Sequence, residues 1–230
     1  MRVDKFIQLT KQLSKQDIKE LFKHQDISIN REFITSLKQD VTPLDKVYIK
    51  EELITEAPYV YIMMNKPKGV LSALKDEYEK TVLDLIDHPR KDSLRIMGRL
   101  DRDTTGLMIL TNDNRLIKRV TLPDYHVEKE YEVVLRDPIC KDAIKQFADG
   151  IMIDQNILLK PAHLKIIDDT HVKLTISEGR YHQVKKMFLS ISNEVIDLKR
   201  IRIHYLCLDP SLKLGSYKEL SSEEIAQLIP

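Results

Sequence analysis

The 230-residue chain is richest in potentially reactive side chains between Met97 and Asn114, M-G-R-L-D-R-D-T-T-G-L-M-I-L-T-N-D-N. Asp101 and Asp103 stand two apart between Gly98 and Gly106, with Arg99, Arg102, Thr104 and Thr105 around them and an apolar run immediately after. A buried strand fixes the loop that feeds it, and a rigid scaffold holds a reactive carboxylate in this way. The same residues also fit an Asp/Thr turn making only local hydrogen bonds. Paired carboxylates raise glycoside hydrolysis as a further chemistry, but that reaction needs one acid kept protonated, and no second Asp or Glu is obviously poised beside apolar residues.

Two more segments carry charge beside a tight backbone. Asn65-Lys66-Pro67-Lys68-Gly69 follows a predicted strand; Pro67 stiffens the turn, and Lys66 and Lys68 suit either a phosphate contact or an ordinary strand exit. Ser177 to Phe188, S-E-G-R-Y-H-Q-V-K-K-M-F, delivers Arg180, Tyr181, His182 and Gln183 to the start of a helix, where free N–H groups and the dipole favour anions. Lys185 and Lys186 flank that helix's apolar stripe, so at least one can reach a carboxylate near the sheet; a solvated basic face explains them equally well. Lys199, Arg200 and Arg202 add a second basic cluster. Glycine is scarce, six in all, and Gly69, Gly98, Gly106 and Gly179 mark these three segments.

The elements that must position these residues follow from periodicity. Tyr59 to Met64, Leu107 to Thr111, Glu130 to Leu135 and His171 to Ser177 read as strands, the last alternating Val172, Leu174 and Ile176 to one side. Helices are expected from a Thr81 cap, after Asp113, over Lys141 to Asp149 with Gly150 as its C-cap, from about His182 to Ile191, and from Ser221-x-x-Glu224. Val184, Met187, Phe188 and Ile191 give the fourth its buried stripe. Upstream, residues 1–58 read as a separate unit: a helix over Val3 to Leu13, a second from Ser14-x-x-Asp17 to about His24, then strands at Ile27 to Ile29 and Asp45 to Ile49 as a small antiparallel hairpin. Lys15, Lys19 and Lys23 repeat every four residues along the second helix. Glu51 to Pro58 is the linker candidate. Strands and helices mix without βαβ alternation, so the fold class is α+β with mostly antiparallel pairing.

Composition narrows the function classes. The 37 Lys+Arg and 36 Asp+Glu nearly cancel, and residues 1–58 themselves carry ten of each sign, so neither part is basic overall. The longest apolar run falls far short of the ~20 residues a membrane helix needs, and no apolar signal segment opens the chain. Cys140 and Cys207 lack a C-x-x-C partner and the seven histidines show no ligand spacing, so a reduced cytoplasmic chain without disulfide or metal site is expected. Phosphate-loop, dinucleotide and nucleophile-elbow motifs do not occur.

Taken together, N-K-P-K-G at 65–69, G-R-L-D-R-D-T-T-G-L-M-I-L-T-N-D at 98–113, K-E-Y-E-V at 129–133 and E-G-R-Y-H-Q-V-K-K-M-F at 178–188 resemble, in order and spacing, the pseudouridine synthases of the RsuA type that modify ribosomal RNA. Residues 1–58 look like the small RNA-binding domain named after ribosomal protein S-four, with Lys15 where arginine is usual and Gln25 where the helix commonly ends in glycine. The resemblance implies a small α/β RNA-binding domain over 1–58 and a larger, mostly antiparallel catalytic domain over 59–230. It implies isomerisation of a uridine in 16S rRNA, with Asp101 as the catalytic aspartate, Tyr131 packing on the target base, Lys185 pairing with the aspartate, Arg99 helping to extrude the base and Leu198 beneath it. Arg180, His182 and Gln183 are further substrate candidates; Lys15, Lys19, Lys23, Lys66, Lys68, Lys186 and Arg200 are candidate RNA contacts. No cofactor and no metal are expected. The implied partner is ribosomal RNA, at a loop or single-stranded uridine, in naked form or in a partly assembled small subunit; the chain is expected to be a monomer. Rival readings are the same reaction on 23S rRNA, and an RNA-binding assembly factor that keeps the fold without the chemistry.

Overall fold

The computed structural model describes residues 1–11, 13–42, 45–54 and 59–229, which form two compact units, Met1–Val60 and Tyr61–Pro230. In the first, helix α1 (Val3–Lys11) precedes α2 (Lys15–Lys23). The cap of α2 is reciprocal: the Asp17 N–H donates to the Ser14 hydroxyl and the Ser14 N–H to the Asp17 carboxylate, satisfying two donors that a helix start leaves open. Strands β1 (Ile27–Ile29), β2 (Glu32–Phe33), β3 (Val47–Ile49) and β4 (Glu52–Leu53) pair in the order β2-β1-β3-β4. Val3, Phe6, Ile7, Ile18, Ile27 and Val47 close the core between helices and sheet.

Two expectations for this unit need correction. The hairpin is a four-stranded sheet, because Asn30-Arg31 and Lys50-Glu51 both adopt positive φ, the geometry that turns a two-residue hairpin with the native strand twist. Glu52–Leu53, placed in a linker by its polarity, is therefore a strand paired with β3; residues 55–58 of that linker lie outside the described residues. Gln25 follows α2 with φ +56°, the left-handed conformation that glycine adopts most cheaply.

The second unit is built on a nine-stranded sheet. Its chain order is β5 (Tyr61–Lys66), β6 (Arg95–Met97), β7 (Thr105–Thr111), α3 (Asn114–Thr121), β8 (Lys129–Leu135), α4 (Asp142–Asp149), a hairpin of β9 (Met152–Ile153) and β10 (Ile157–Leu158), β11 (His163–Ile166), β12 (His171–Ile176), α5 (Gln183–Ser190), β13 (Val195–Ile203), β14 (Leu206–Cys207), β15 (Tyr217–Glu219) and α6 (Ser222–Ala226). The sheet runs β11-β12-β8-β13-β7-β5-β15, with β14 beside β13 and β6 beside β7. Among the described pairs β7 with β13 is parallel and the others are antiparallel. The α+β class with mostly antiparallel pairing holds.

Burial explains which strands declared themselves. β5 and β7 are buried at every residue, as near-continuous apolar runs demand. In β12 Val172, Leu174 and Ile176 are buried, as their alternation predicts. The expected helix at Thr81 is a single 3-10 turn, Val82–Leu85. The nine-residue β13 went unread because bulges between Val195 and Asp197 and between Arg200 and Arg202 break its two-residue period.

Two features fix the loop that joins β6 to β7. Gly106 pairs with Arg200 across the parallel junction at φ +102°, and a Cβ there would lie 2.2 Å from the Arg200 carbonyl oxygen. Lys66, at the end of β5, is fully buried and turns its ammonium inward, donating to the carbonyls of Pro67 at 3.1 Å, Arg102 at 3.2 Å and Thr104 at 3.0 Å. It faces no solvent, so the RNA contact expected of it is replaced by a structural one. Gly179, by contrast, has neither positive φ nor a neighbour within 4 Å of where a Cβ would stand, so nothing there requires glycine.

Gly106→Ala is expected to destabilise the protein by at least about 2 kcal/mol through overpacking and strain, whereas Gly179→Ala changes stability by less than about 0.5 kcal/mol; urea unfolding of the two variants checks the contrast. Lys66→Met, which leaves the buried Thr104 carbonyl without its ammonium donor and the part-buried Pro67 carbonyl likewise, is expected to cost about 2 kcal/mol in the same measurement.

Candidate active site

The loop between β6 and β7 is held at both ends and in its middle. The Thr104 N–H donates to the Asp101 carbonyl at 3.2 Å, closing a turn around Arg102 and Asp103. Leu100 donates its N–H to the Ser72 hydroxyl, which donates back to the Leu100 carbonyl. The Gly69 N–H donates to the Arg102 carbonyl at 2.9 Å, so the two segments singled out separately in the sequence are stitched together. Asp101 thus projects from a backbone with little freedom.

Its carboxylate meets the start of α5. Oδ2 lies 3.3 Å from Lys185 Nζ and Oδ1 lies 3.5 Å from His182 Nε2, while Lys185 Nζ also bridges to Asp103 Oδ1 at 2.6 Å. Burial works against the Lys185 charge, but the hydrogen bond to Asp103 and the nearby Asp101 outweigh it and raise its pKa above the ordinary lysine value. The Lys185 hydrogen bond in turn lowers the pKa of Asp103. One cation therefore serves two carboxylates.

His182 and Gln183 arrive there by local geometry. His182 caps α5 in a left-handed conformation with φ 52°. Buried Gln183 accepts the Arg180 N–H at 2.9 Å, which makes it a brace for the turn. Val184, Met187 and Phe188 anchor the helix, with the Phe188 ring 5.0 Å from that of Phe147 on α4.

These groups open onto a cleft of about 910 Å³. Tyr131 and Leu198, both buried, lie in its lining together with Ile176, and Arg99 and Arg180 line it as exposed side chains. Arg180 is held at 3.4 Å by Glu178, itself buried. So the structure gathers Arg99, Asp101, Tyr131, Arg180, His182, Gln183, Lys185 and Leu198 around one cavity.

The basic candidates separate into different roles. Arg200 is buried on β13 and donates to the carbonyls of Leu107 at 2.7 Å and Gly98 at 3.1 Å. It braces the Asp101 loop from the lining of the cleft, its guanidinium turned to backbone carbonyls. Lys68 pairs with Asp197 at 2.8 Å and Lys186 with Asp154 at 2.6 Å. In the first unit Lys15, Lys19 and Lys23 line a shallow groove with Gln16 and Glu20, and Lys23 bridges Glu20 at 2.8 Å.

Lys129 was quoted in the sequence only as part of a motif. It lines the cleft two residues from Tyr131, so strand alternation puts both on one face. Burial, with Arg200 adding repulsion, pushes its pKa down to about 8. Its neighbours Glu128 and Glu130 are both taken by Arg202, at 3.0 and 2.8 Å. The alternation of Lys129, Tyr131 and Val133 was the available signal.

Comparison with known proteins fits this geometry. Residues 60–190 match the family model described as RNA pseudouridylate synthase. Over the full length of both chains the protein is 39% identical to "Ribosomal small subunit pseudouridine synthase A" of Haemophilus influenzae. It is 40% identical to the protein of the same name from Yersinia pestis, over 99% of this chain and 98% of that one. A solved structure described as "Crystal structure of pseudouridylate synthase" covers all of both chains at 38% identity with a TM-score of 0.72. The resemblance carried by the four motifs thus extends through the whole chain, which belongs to the RNA pseudouridylate synthase family, in its RsuA-type branch.

Proposed function

We propose that the chain isomerises one uridine of small-subunit (16S) ribosomal RNA to pseudouridine, with Asp101 as its catalytic residue. The observation that carries this reading is the Asp101 carboxylate, fixed by its loop and flanked by Lys185 and His182, opening onto a cleft whose lining includes Tyr131 and Leu198. The small-subunit assignment rests on full-length similarity to the small-subunit synthases named above.

The chemistry matches what the cleft offers. In the conversion the bond from C1′ to N1 breaks, the uracil turns, and a bond from C1′ to C5 forms; the proton lost at C5 is balanced by one gained at N1. Nothing is oxidised, reduced or hydrolysed. Asp101 acts on the nucleotide as a carboxylate, and Lys185, 3.3 Å from its Oδ2, keeps it aimed. Tyr131 stacks on the extruded base over Leu198, and stacking worth roughly 1–3 kcal/mol offsets the few kcal/mol of unstacking. Arg99 and Arg180 stand exposed at the cleft, where a phosphodiester backbone can reach them. His182 orients the Asp101 oxygen it faces, and Gln183 braces the turn that carries Arg180.

Residues 1–58 act in this reading as an RNA-binding module, Lys15, Lys19 and Lys23 of α2 supplying its phosphate contacts, with Lys68 and Lys186 as further contacts near the cleft. The RNA target is a uridine already unpaired in a loop or bulge, where extrusion costs least. Ribosome maturation puts the protein in the cytoplasm; among the described residues no helix is long and apolar enough to cross a membrane.

Asp101→Asn is expected to lower the single-turnover rate on a 16S rRNA transcript by roughly a thousandfold or more with RNA binding kept, read as carbodiimide-dependent reverse-transcription stops. Undiminished modification by that variant refutes the catalytic assignment, and stops confined to 23S rRNA refute the small-subunit one. Replacing Lys15, Lys19 and Lys23 by Ala is expected to flatten the plot of log affinity against log salt by about two, near 0.7 for each lost single-strand phosphate contact; titrations at several salt concentrations measure it.

A further inference from the structure

Tyr181 has no part in the reaction described above, yet it is the exposed aromatic closest to it along the chain. The residue is 74% exposed. Its ring is nevertheless held. It stacks on the His182 imidazole with centroids 3.8 Å apart and planes 18° from parallel. Lys186 Nζ stands 5.4 Å from the ring centroid and is itself tied to Asp154 at 2.6 Å. The same His182 that supports the ring lies 3.5 Å from Asp101. Tyr181 and His182 both line the cleft, opposite in character to buried Tyr131.

An exposed ring that is pre-stacked and flanked by a cation has lost most of its rotamer freedom before any ligand arrives, so a planar ligand can stack on it at small entropic cost. Single-stranded RNA supplies such ligands one nucleotide at a time, and aromatic side chains stack them without regard to sequence. Building on the pseudouridine synthase reading, we propose that Tyr181 is a second aromatic platform, which stacks the base of a nucleotide adjoining the target uridine while Tyr131 takes the uridine itself. Tyr131 is recessed and accepts only a base turned out of its stack. Tyr181, one imidazole outward from the catalytic carboxylate, receives a neighbour that stays at the mouth. The two rings then hold the strand on both sides of the turn that extrusion makes in the backbone.

The chain contains no tryptophan, so Tyr181→Trp installs a sole indole reporter at this position. The probe is a 16S rRNA fragment that the unaltered protein modifies, made also with an abasic site immediately 5′ or 3′ of the target uridine. Tyr181→Ala is expected to raise KM about tenfold with kcat changed less than about threefold, a size typical of one base–aromatic stack; Tyr181→Phe is expected to stay within about twofold of the parent. Fluorescence of the Tyr181→Trp protein is expected to be quenched by the intact fragment and not by one of the two abasic fragments. That abasic fragment should bind the parent protein about tenfold more weakly but Tyr181→Ala no more weakly than the intact fragment does. Additive losses in this cycle, or unquenched fluorescence from a Tyr181→Trp protein that still modifies the fragment, overturn the platform and leave the catalytic reading standing. Full activity of Asp101→Asn overturns the catalytic reading, and the binding and quenching measurements remain interpretable without it.

Discussion

A carboxylate can act on a nucleotide only if the loop carrying it is held still, and in this protein the holding falls to a buried ammonium. Lys66 gives its hydrogens to the carbonyls of Pro67, Arg102 and Thr104. Desolvating an ammonium costs several kcal/mol, and burial pushes the Lys66 pKa down to about 8 against the pull of Asp103 and Asp101. Three acceptors at hydrogen-bond distance offset that cost and favour the charged form at neutral pH. The cation reaches backbone on both sides of the turn, so the loop cannot rotate without stranding it. Arg200 repeats the device from the other side of β7, clamping Leu107 and Gly98. Two residues that the sequence offers as basic surface are thus consumed in making the Asp101 loop rigid.

That rigidity sets the electrostatics of the site. Asp101 and Asp103 repel each other on a short loop, and a mobile pair would separate. Lys185 prevents that by lying between them, and it reaches that place because Val184, Met187 and Phe188 lock α5 against the sheet. Its own charge is then more secure than that of an isolated lysine, while Lys129, without a carboxylate, is the cation made easier to discharge. Two lysines lining one cleft differ for a stated reason: one faces acids, the other faces Arg200 and the carbonyl of Val127.

How much of this could be read in advance depended on whether the signal was periodic. The runs in β5 and β7, the alternation in β12 and the stripe of α5 declare themselves because burial imposes one pattern on each, and the Ser14 and Ser221 caps because an open helix start needs acceptors for its N–H groups. β13 does not, since its two bulges put Leu198, Arg200 and Ile203 inward at uneven spacing, so its charged residues look like a surface cluster. β4 escaped for another reason. Its hairpin turns on Lys50 and Glu51 at positive φ, where the usual Asn or Gly cue is missing. At the site, residue types placed Asp101 and Lys185 among the candidates, and the family resemblance singled out Tyr131. They could not show that Lys66 and Arg200 turn inward, because a lysine or arginine in a polar segment reads the same whether its partner is a phosphate or a carbonyl.

The near-zero net charge sits uneasily with an RNA substrate until the pairing of the charges is considered. Lys11, Lys23, Lys68 and Lys186 each lie beside an exposed or half-exposed carboxylate, at 3.6, 2.8, 2.8 and 2.6 Å. Exposed pairs of this kind are worth only about 0–1 kcal/mol. A phosphodiester bringing its own charge and releasing counterions can displace such an acid at little cost. A balanced composition is consistent with a protein that must pick one uridine from a long, uniformly charged polymer, for which a strongly basic surface would hold the wrong sites as firmly as the right one.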